Sequence, residues 1–412
     1  MKPYKNKILI IGGGASGMMA AISAAEHGAD VRILERMPRV GKKLLATGNG
    51  RCNLSNLNMG PEHFHGDREF IRAILSECNL DATLKQLENL GLFWISEPDT
   101  GRIFPRSLQA SSILDVLRNA MDRRGVTETC DAVVQKILRT GRAFQIILGD
   151  GHALNADRII LAAGGRASPN LGSNGSGFQL AKQLGHSVSA PRPAIVQLTW
   201  KRTFSKRLKG LKVQARIELE GDGKLLRTES GEIHFTEDGL SGIPALQMAR
   251  LVHDALDKGH TPVLHINLFP DLDRETLAPR LSDRLRRLPD QTVKTGLISL
   301  IHKRLIPVIL TEAGIDPESF CSRLADDAPE HLIRVLTDWQ IPVTGTRSWS
   351  SAQVTSGGVI TDNVNPRTLE SNLVPGLYFA GEILDVDGDC GGYNLQWAWS
   401  TGWIAGRHAA LD

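Results

Sequence analysis

The sequence predicts an α/β chain with a region of different character set into it, on three observations. Residues 7–35 read as a short apolar strand, a glycine turn, a helix and a second strand. Two more apolar strands, at 158–163 and 377–380, each stop on small residues. From Pro191 the chain turns basic and strand-rich, and then helical.

The first stretch is the most informative. Ile8, Leu9, Ile10 and Ile11 form the strand, Gly12, Gly14 and Gly17 give the G-x-G-x-x-G spacing, and 18–27 continues as helix. Gly12 permits the tight turn, Gly14 lets a pyrophosphate approach the backbone, and Gly17 lets helix and strand pack closely. The N–H groups and positive dipole end of that helix face the phosphates. Glu35 ends the second strand roughly 20 residues on, where a carboxylate accepts hydrogen bonds from ribose hydroxyls and disfavours a 2′-phosphate. The nucleotide expected is therefore FAD or NAD rather than NADP.

Bulk properties narrow the class. The 412 residues suffice for two or three domains, and 41% hydrophobic with 23% charged residues is an ordinary globular composition. A net charge of +3 excludes a polycation. MKPYKNK runs straight into the nucleotide strand, so removing a leader would destroy the fingerprint, and no apolar run approaches the ~18 residues of a membrane span. A cytoplasmic location is expected. Cys52, Cys78, Cys130, Cys321 and Cys390 are dispersed without a C-x-x-C, which argues against a disulfide framework, a zinc ribbon or a redox dithiol. Electrons must then move through a cofactor.

After Glu35, residues 36–56 carry Gly41, Gly48 and Gly50 among Arg36, Lys42, Lys43 and Arg51, a loop suited to wrap a pyrophosphate and ribitol chain. Helices are expected within 68–92 and at 112–124, a turn and strand at 101–105, and paired strands at 133–137 and 144–148. The strand at 158–163 runs into Gly164 and Gly165, placing backbone against a nucleotide at the sheet's carboxyl edge. A second glycine cluster, 172–177, follows no Ile/Val-rich strand and is not a second dinucleotide fingerprint, so a nicotinamide reductant has no separate domain of its own.

Residues 192–216 contain Arg192, Lys201, Arg202, Lys206, Arg207, Lys209, Lys212 and Arg216 and no acid. They suit an anionic partner such as RNA, a phosphate or a carboxylate ligand, and equally a solvated strand edge protected by lysines. Strands are expected at 213–219, 224–228, 231–236 and 265–268, a helix at 245–256, and mostly helix over 273–325.

In 373–406, Gly381 and Glu382 follow the last apolar strand, where an acid can hold a ribitol hydroxyl. Gly391, Gly392, Tyr393, Asn394 and Leu395 then open a helix whose N–H groups can face the electron-rich edge of a flavin. Asp385, Asp387 and Asp389 imitate a calcium loop, but Cys390 replaces the required glycine and Gln396 the bidentate Glu; no metal is assigned, and His63-x-His65 reads as surface loop.

These residues resemble a known set, the BaiN/RdsA-type NAD(P)/FAD-dependent oxidoreductases, bacterial flavoproteins with a glutathione-reductase-like FAD domain. The resemblance covers nearly the whole chain and is carried by GGGASG, KKLLATGNGRCNLSN, GRIFPRS, GEIHFTEDGLSG, VTSGGV and GLYFAGEILDVDGDCGGYNLQWAWSTG. Two departures stand out: Gly48-Asn49-Gly50 where many members have three glycines, and Asp389-Cys390 where Pro-Thr is common.

The resemblance implies an α/β fold with a discontinuous Rossmann-like FAD-binding domain (1–190 and 347–412) and an inserted substrate domain, β-barrel-like over 191–268 and a helical cap over 269–346. It implies FAD, held by Gly12, Gly14, Ala15, Ser16, Gly17, Glu35, Arg36, Lys43, Asn49, Arg51, Val134, Gly164, Gly381, Glu382, Asn394 and Leu395. NAD(P)H would be the co-substrate, with substrate lying over the flavin between Cys52, Tyr393 and the insert; these two are the candidate catalytic residues. Family members imply three substrate classes: unsaturated 3-oxo bile acids, a ribosomal RNA uridine reduced to dihydrouridine, and an amino ketone oxidised with oxygen. The expected reaction is reduction of a conjugated C=C in a small, steroid-like molecule, with Trp200, Phe204 and Phe235 walling a hydrophobic pocket. RNA remains the alternative partner, through 192–216, and the oligomeric state stays open.

Overall fold

The computed structural model describes residues 5–411. Met1 to Tyr4, part of the stretch read above as excluding a leader, lie outside the described residues. The chain forms two compact units, one from Met1–Pro193 with Ala352–Asp412 and the other from Ala194–Ser351.

The first unit is built on a five-stranded parallel sheet in the order Leu377–Phe379, Arg158–Leu161, Lys7–Ile11, Asp30–Leu34, Thr127–Thr129. Ile10 sits between Ile33 and Ile160, and Ile160 pairs onward with Tyr378, all fully buried. Continuous apolar strands of this kind suit a sheet covered on both faces. Lys7–Ile11 is central, and the chain leaves it toward opposite sides, first to Asp30–Leu34 and later to Arg158–Leu161. That reversal opens a crevice at the strands' carboxyl ends, the general ligand site of such sheets.

Two helices pack together on the parallel sheet. Ala15–Glu26 and the last helix, Tyr393–Leu411, cross closely because Gly402 and Gly406 lack side chains there. A Cβ on Gly402 would lie 2.4 Å from Ser16 O, and one on Gly406 2.2 Å from Ala20 O. The expected helices near 68–92 and 112–124 are Arg68–Glu77, Leu80–Leu90 and Ala110–Arg123, the first two capped by Asp67 and Asn79.

The second unit carries a seven-stranded sheet: Trp339–Pro342, Val263–Asn267, Lys212–Gly221, Lys224–Phe235, Gly239–Ser241, Leu198–Thr199, Gly345–Thr346. Its outermost strands are joined by Val343 and Thr344, whose N–H groups donate to Pro262 O and Thr199 O, so the sheet curls back on itself. Three sequence expectations differ from this arrangement. The strands expected at 224–228 and 231–236 are one twelve-residue strand, running through Gly231. Residues 269–346 are not wholly helical, because Trp339–Pro342 alternates buried and exposed side chains and completes the sheet. Trp200, Phe204 and Phe235 are core residues rather than an open wall: with Trp339 they form a buried ring cluster at centroid separations of 5.0 to 6.3 Å, and Trp200 Nε1 donates to Ser205 Oγ. Rings already packed on one another inside the insert gain more from that core than from an open wall.

Among the described residues no helix is long and apolar enough to cross a membrane.

Candidate functional site

The glycine turn at 12–17 separates three tasks. A Cβ on Gly12 would lie 2.4 Å from Ala162 O, so only glycine, here at φ 107°, lets the central strand turn beside its neighbour. A Cβ on Gly17 would lie 1.9 Å from Gly12 O, which fixes the helix hard against the strand. Around Gly14 nothing lies within 4 Å of such a Cβ. This open space stands before the first turn of Ala15–Glu26, whose leading N–H groups, those of Ala15 and Ser16 among them, have no intrahelical acceptor. It is a built cradle for an anion.

Glu35, buried at the end of its strand, accepts from Gly13 N through Oε2 at 2.7 Å and from Met37 N through Oε1 at 2.8 Å. A carboxylate has about four acceptor positions, so positions remain for a ribose diol. Val134 is brought to the same place, because Ala132 N donates to Glu35 O. So is Gly172 of the second glycine cluster, where a Cβ would come within 2.9 Å of Met37 Cγ and 3.8 Å of Glu35 Oε1. That cluster packs beside Glu35 and Met37.

At the other end, Glu382 joins three segments. Its Oε2 lies 2.7 Å from Lys43 Nζ and its Oε1 accepts from Thr355 N at 2.9 Å. Thr355 Oγ1 in turn accepts from Arg166 N and Ala167 N. Gly381 sits against Ser16, with a would-be Cβ 2.4 Å from Ser16 Oγ, and Gly164 faces Ser173. Thr355 carried no assigned role in the sequence; its signal was the VTSGGV motif.

Other expected contacts are arranged differently. Gly48 and Asn49 adopt left-handed backbone, φ 57° and 55°, which turns the 47–50 loop, and Asn49 is exposed. Arg51 lies over the Phe104 ring at 4.5 Å and pairs with Glu97 at 3.3 Å. Asn394 closes its amide onto Gly388 in both directions, at 2.8 and 2.7 Å, so its backbone N–H and that of Leu395 are what the last helix offers a ligand. Arg36 is half-buried directly after Glu35.

The two candidate catalytic residues separate. Cys52 is fully buried and burial pushes its thiol up to about 12, so it is neutral at physiological pH; as a reactive thiol it is corrected to a packing residue. Tyr393 has a buried ring stacked on His63, centroids 4.3 Å apart. Among the described residues its hydroxyl has no protein partner. Burial, then the carboxylates of Asp389 and Glu62, push the phenol up to about 12 against the opposing Arg102. It is a protonated donor with no acceptor among the described residues. Asp389, read above as a false calcium ligand, pairs with His65 at 3.3 Å and His63 at 3.6 Å, and so holds the stack.

An open pyrophosphate cradle, a ribose-side carboxylate with spare acceptor positions and a second helix entry fit FAD, and the fold with this site is that of an FAD-dependent oxidoreductase. The chain belongs to the family described as HI0933-like protein Rossmann domain, whose model matches residues 6–408. It is 40% identical over 408 residues to the 3-dehydro-bile acid delta(4,6)-reductase of Clostridium scindens, covering 98% of this chain and 99% of that protein. It is 32% identical to the ribosomal RNA dihydrouridine synthase of Escherichia coli, covering 97% of this chain and 96% of the relative. Among solved structures, the 3-ketosteroid-delta4-(5alpha)-dehydrogenase of Rhodococcus jostii shares the fold with a TM-score of 0.52 at 19% identity, over 100% of this chain and 98% of the other.

Proposed function

We propose that this chain reduces a conjugated C=C of a small 3-oxo steroid-like molecule, such as an unsaturated 3-oxo bile acid, at the expense of NAD(P)H. The observation that carries this reading is the end-to-end 40% identity to a bile-acid reductase. FAD, when bound, supplies the two-electron relay between nicotinamide and alkene. Gly14, Ala15, Ser16 and Gly17 cradle the pyrophosphate, Glu35 and Val134 hold the adenosine end, and Lys43, Glu382, Gly164 and Gly381 surround the ribitol. Tyr393 keeps a proton at its hydroxyl for the substrate carbon next to the carbonyl, and His63 holds the phenol ring in place. The one five-stranded parallel sheet among the described residues is the FAD sheet, so NAD(P)H and substrate take turns at one site, and initial-rate plots for the two should be parallel. Five free cysteines support a reducing, cytoplasmic setting.

The RNA reading is supported by the dihydrouridine synthase relatives and by Lys201, Arg202, Lys206 and Arg207, which are exposed. Against it, Lys209, Lys212 and Arg216 of the same stretch pair with Glu237, Glu232 and Glu218. The deciding experiment is anaerobic: reduce the yellow protein, then mix it with an unsaturated 3-oxo bile acid or with unmodified ribosomal RNA. Reoxidation by the steroid alone is expected; reoxidation by RNA with dihydrouridine formed would replace this proposal.

A further inference from the structure

Asn53 lies between two tight features of the first unit. Ahead of it, a Cβ on the left-handed Gly48 would lie 2.8 Å from Asn53 N. Behind it, the chain packs under the glycine pair that opens the last helix: Asn56 Nδ2 donates to Gly391 O at 3.0 Å, and a Cβ on Gly392 would lie 2.3 Å from Ser55 O. The same Cβ would lie 2.9 Å from Asn53 Oδ1, so this amide oxygen is held against the start of the helix.

That oxygen is buried and has no hydrogen-bond donor. An amide acceptor left so is costly, and a native fold carries few of them. Loose packing does not explain it, because the polar groups around it are satisfied. Ser55 Oγ donates to Gln396 Oε1, and Gln396 Nε2 donates to Thr83 Oγ1 and Ser400 Oγ. The gap is confined to the one side chain that abuts the helix entry.

The leading N–H groups of Tyr393–Leu411 are donors without intrahelical acceptors, and Asn53 Oδ1 beside them is an acceptor without a donor. A ligand edge that satisfies both presents acceptors and then, next to them, an N–H. The pyrimidine edge of a flavin carries that sequence, with N1 and O2 followed by N3–H. We propose that Asn53 Oδ1 accepts the N3–H of the FAD ring, which makes Asn53 a cofactor-positioning residue. The inference rests on the FAD reading above and adds the orientation of the ring within it.

The test is binding, read by quenching of flavin fluorescence as the FAD-stripped full chain is titrated with FAD and with FAD methylated at N3. The wild type is expected to prefer FAD by roughly tenfold or more, the worth of a hydrogen bond to a buried acceptor. Asn53→Ala is expected to bind FAD more weakly and to lose most of that preference. Asn53→Asp, which keeps the acceptor, is expected to keep the preference and to shift the bound flavin's potential to more negative values, because a carboxylate opposes charge on the reduced ring. Equal binding of both flavins by the wild type, or an unchanged preference in Asn53→Ala, overturns the proposal while the FAD reading stands. Binding of neither flavin overturns both. Should Asn53→Ala fail to fold, the wild-type ratio and Asn53→Asp still decide.

Discussion

Lys43 Nζ and Glu382 Oε2, 339 residues apart in the chain, lie 2.7 Å from each other, and the same carboxylate takes Thr355 N on its other oxygen. The pair ties the loop after the first Rossmann strand pair to the return of the chain from its insert. Both side chains are about one-fifth exposed, which keeps the ion pair's worth near 1 kcal/mol. Glu382→Gln is expected to lower FAD affinity several-fold and to lower the melting temperature of the FAD-free protein by a few degrees. Lys43→Met in the same background should add little; a fully additive double variant would show that the pair is not coupled.

Glu35→Ala leaves Gly13 N and Met37 N without their acceptor as well as removing the proposed ribose contact. Each stranded donor costs about 1 to 3 kcal/mol if it stays buried. Purified Glu35→Ala is expected to be largely colourless, its visible flavin absorbance measured against its protein absorbance. A fully yellow preparation would remove Glu35 from the cofactor site.

Gly402→Ala drives a methyl group to 2.4 Å from Ser16 O, backbone that has no rotamer to yield. Overpacking of this kind costs about 1 to 3 kcal/mol, and calorimetry should find a lower melting temperature. Gly28→Ala is not an equivalent control despite the open space around it, because Gly28 stands at φ 90°; Ala46→Ser, at the exposed last residue of the short helix Lys42–Ala46, is one.

Much of this was legible in advance because periodicity and glycine spacing are local signals. The G-x-G-x-x-G turn, the helix behind it and Glu35 lie within one short stretch, and a buried strand between two others reads as an unbroken apolar run. Pairings between distant segments were not legible. Nothing in the spacing of Asp385, Asp387 and Asp389 says that Asp389 meets two histidines from the sixties, nor that Trp200 and Trp339 share one core. Cys52 could be read as a reactive thiol or, more readily, as an inert small residue, because a thiol's reactivity depends on exposure, which residue type alone does not carry.

His186 gives a pH dependence. Ser371 Oγ already accepts from Leu373 N and Val374 N, so it donates its proton to His186 Nε2 at 2.8 Å, which assigns the ring proton to Nδ1. Nδ1 is buried without an acceptor, and the ring stands edge-on to Phe379. Burial holds the imidazole below its ordinary value, so the folded state favours the neutral ring. The unfolded chain takes up the proton near the reference value of ~6.5 and gains over the folded state below it. Stability from this residue is therefore complete above about 6.5 and falls as the solution is acidified. Urea midpoints measured across that range should show an acid slope that flattens in His186→Gln.

Neutralising Lys206 and Arg207, both exposed, is expected to leave steroid turnover within about twofold, the range of a surface charge far from its partner. A large loss of affinity for ribosomal RNA in the same variant, read by filter binding over a salt series, would favour the RNA alternative.

The parallel sheet takes its outer strand, Leu377–Phe379, from beyond the insert, and Ser16 Oγ donates to Ala380 O across 364 residues. During synthesis the amino-terminal half therefore waits with Arg158–Leu161 as a bare edge and with the first helix uncovered, while the intervening unit, contiguous in the chain, can close on its own. The cofactor fold is finished only after the insert has been made, by the segment that follows it in the chain. Chains stalled before the final helix would expose an apolar helix face and an unpaired strand edge together, the pairing that makes an unfinished protein a substrate for chaperones.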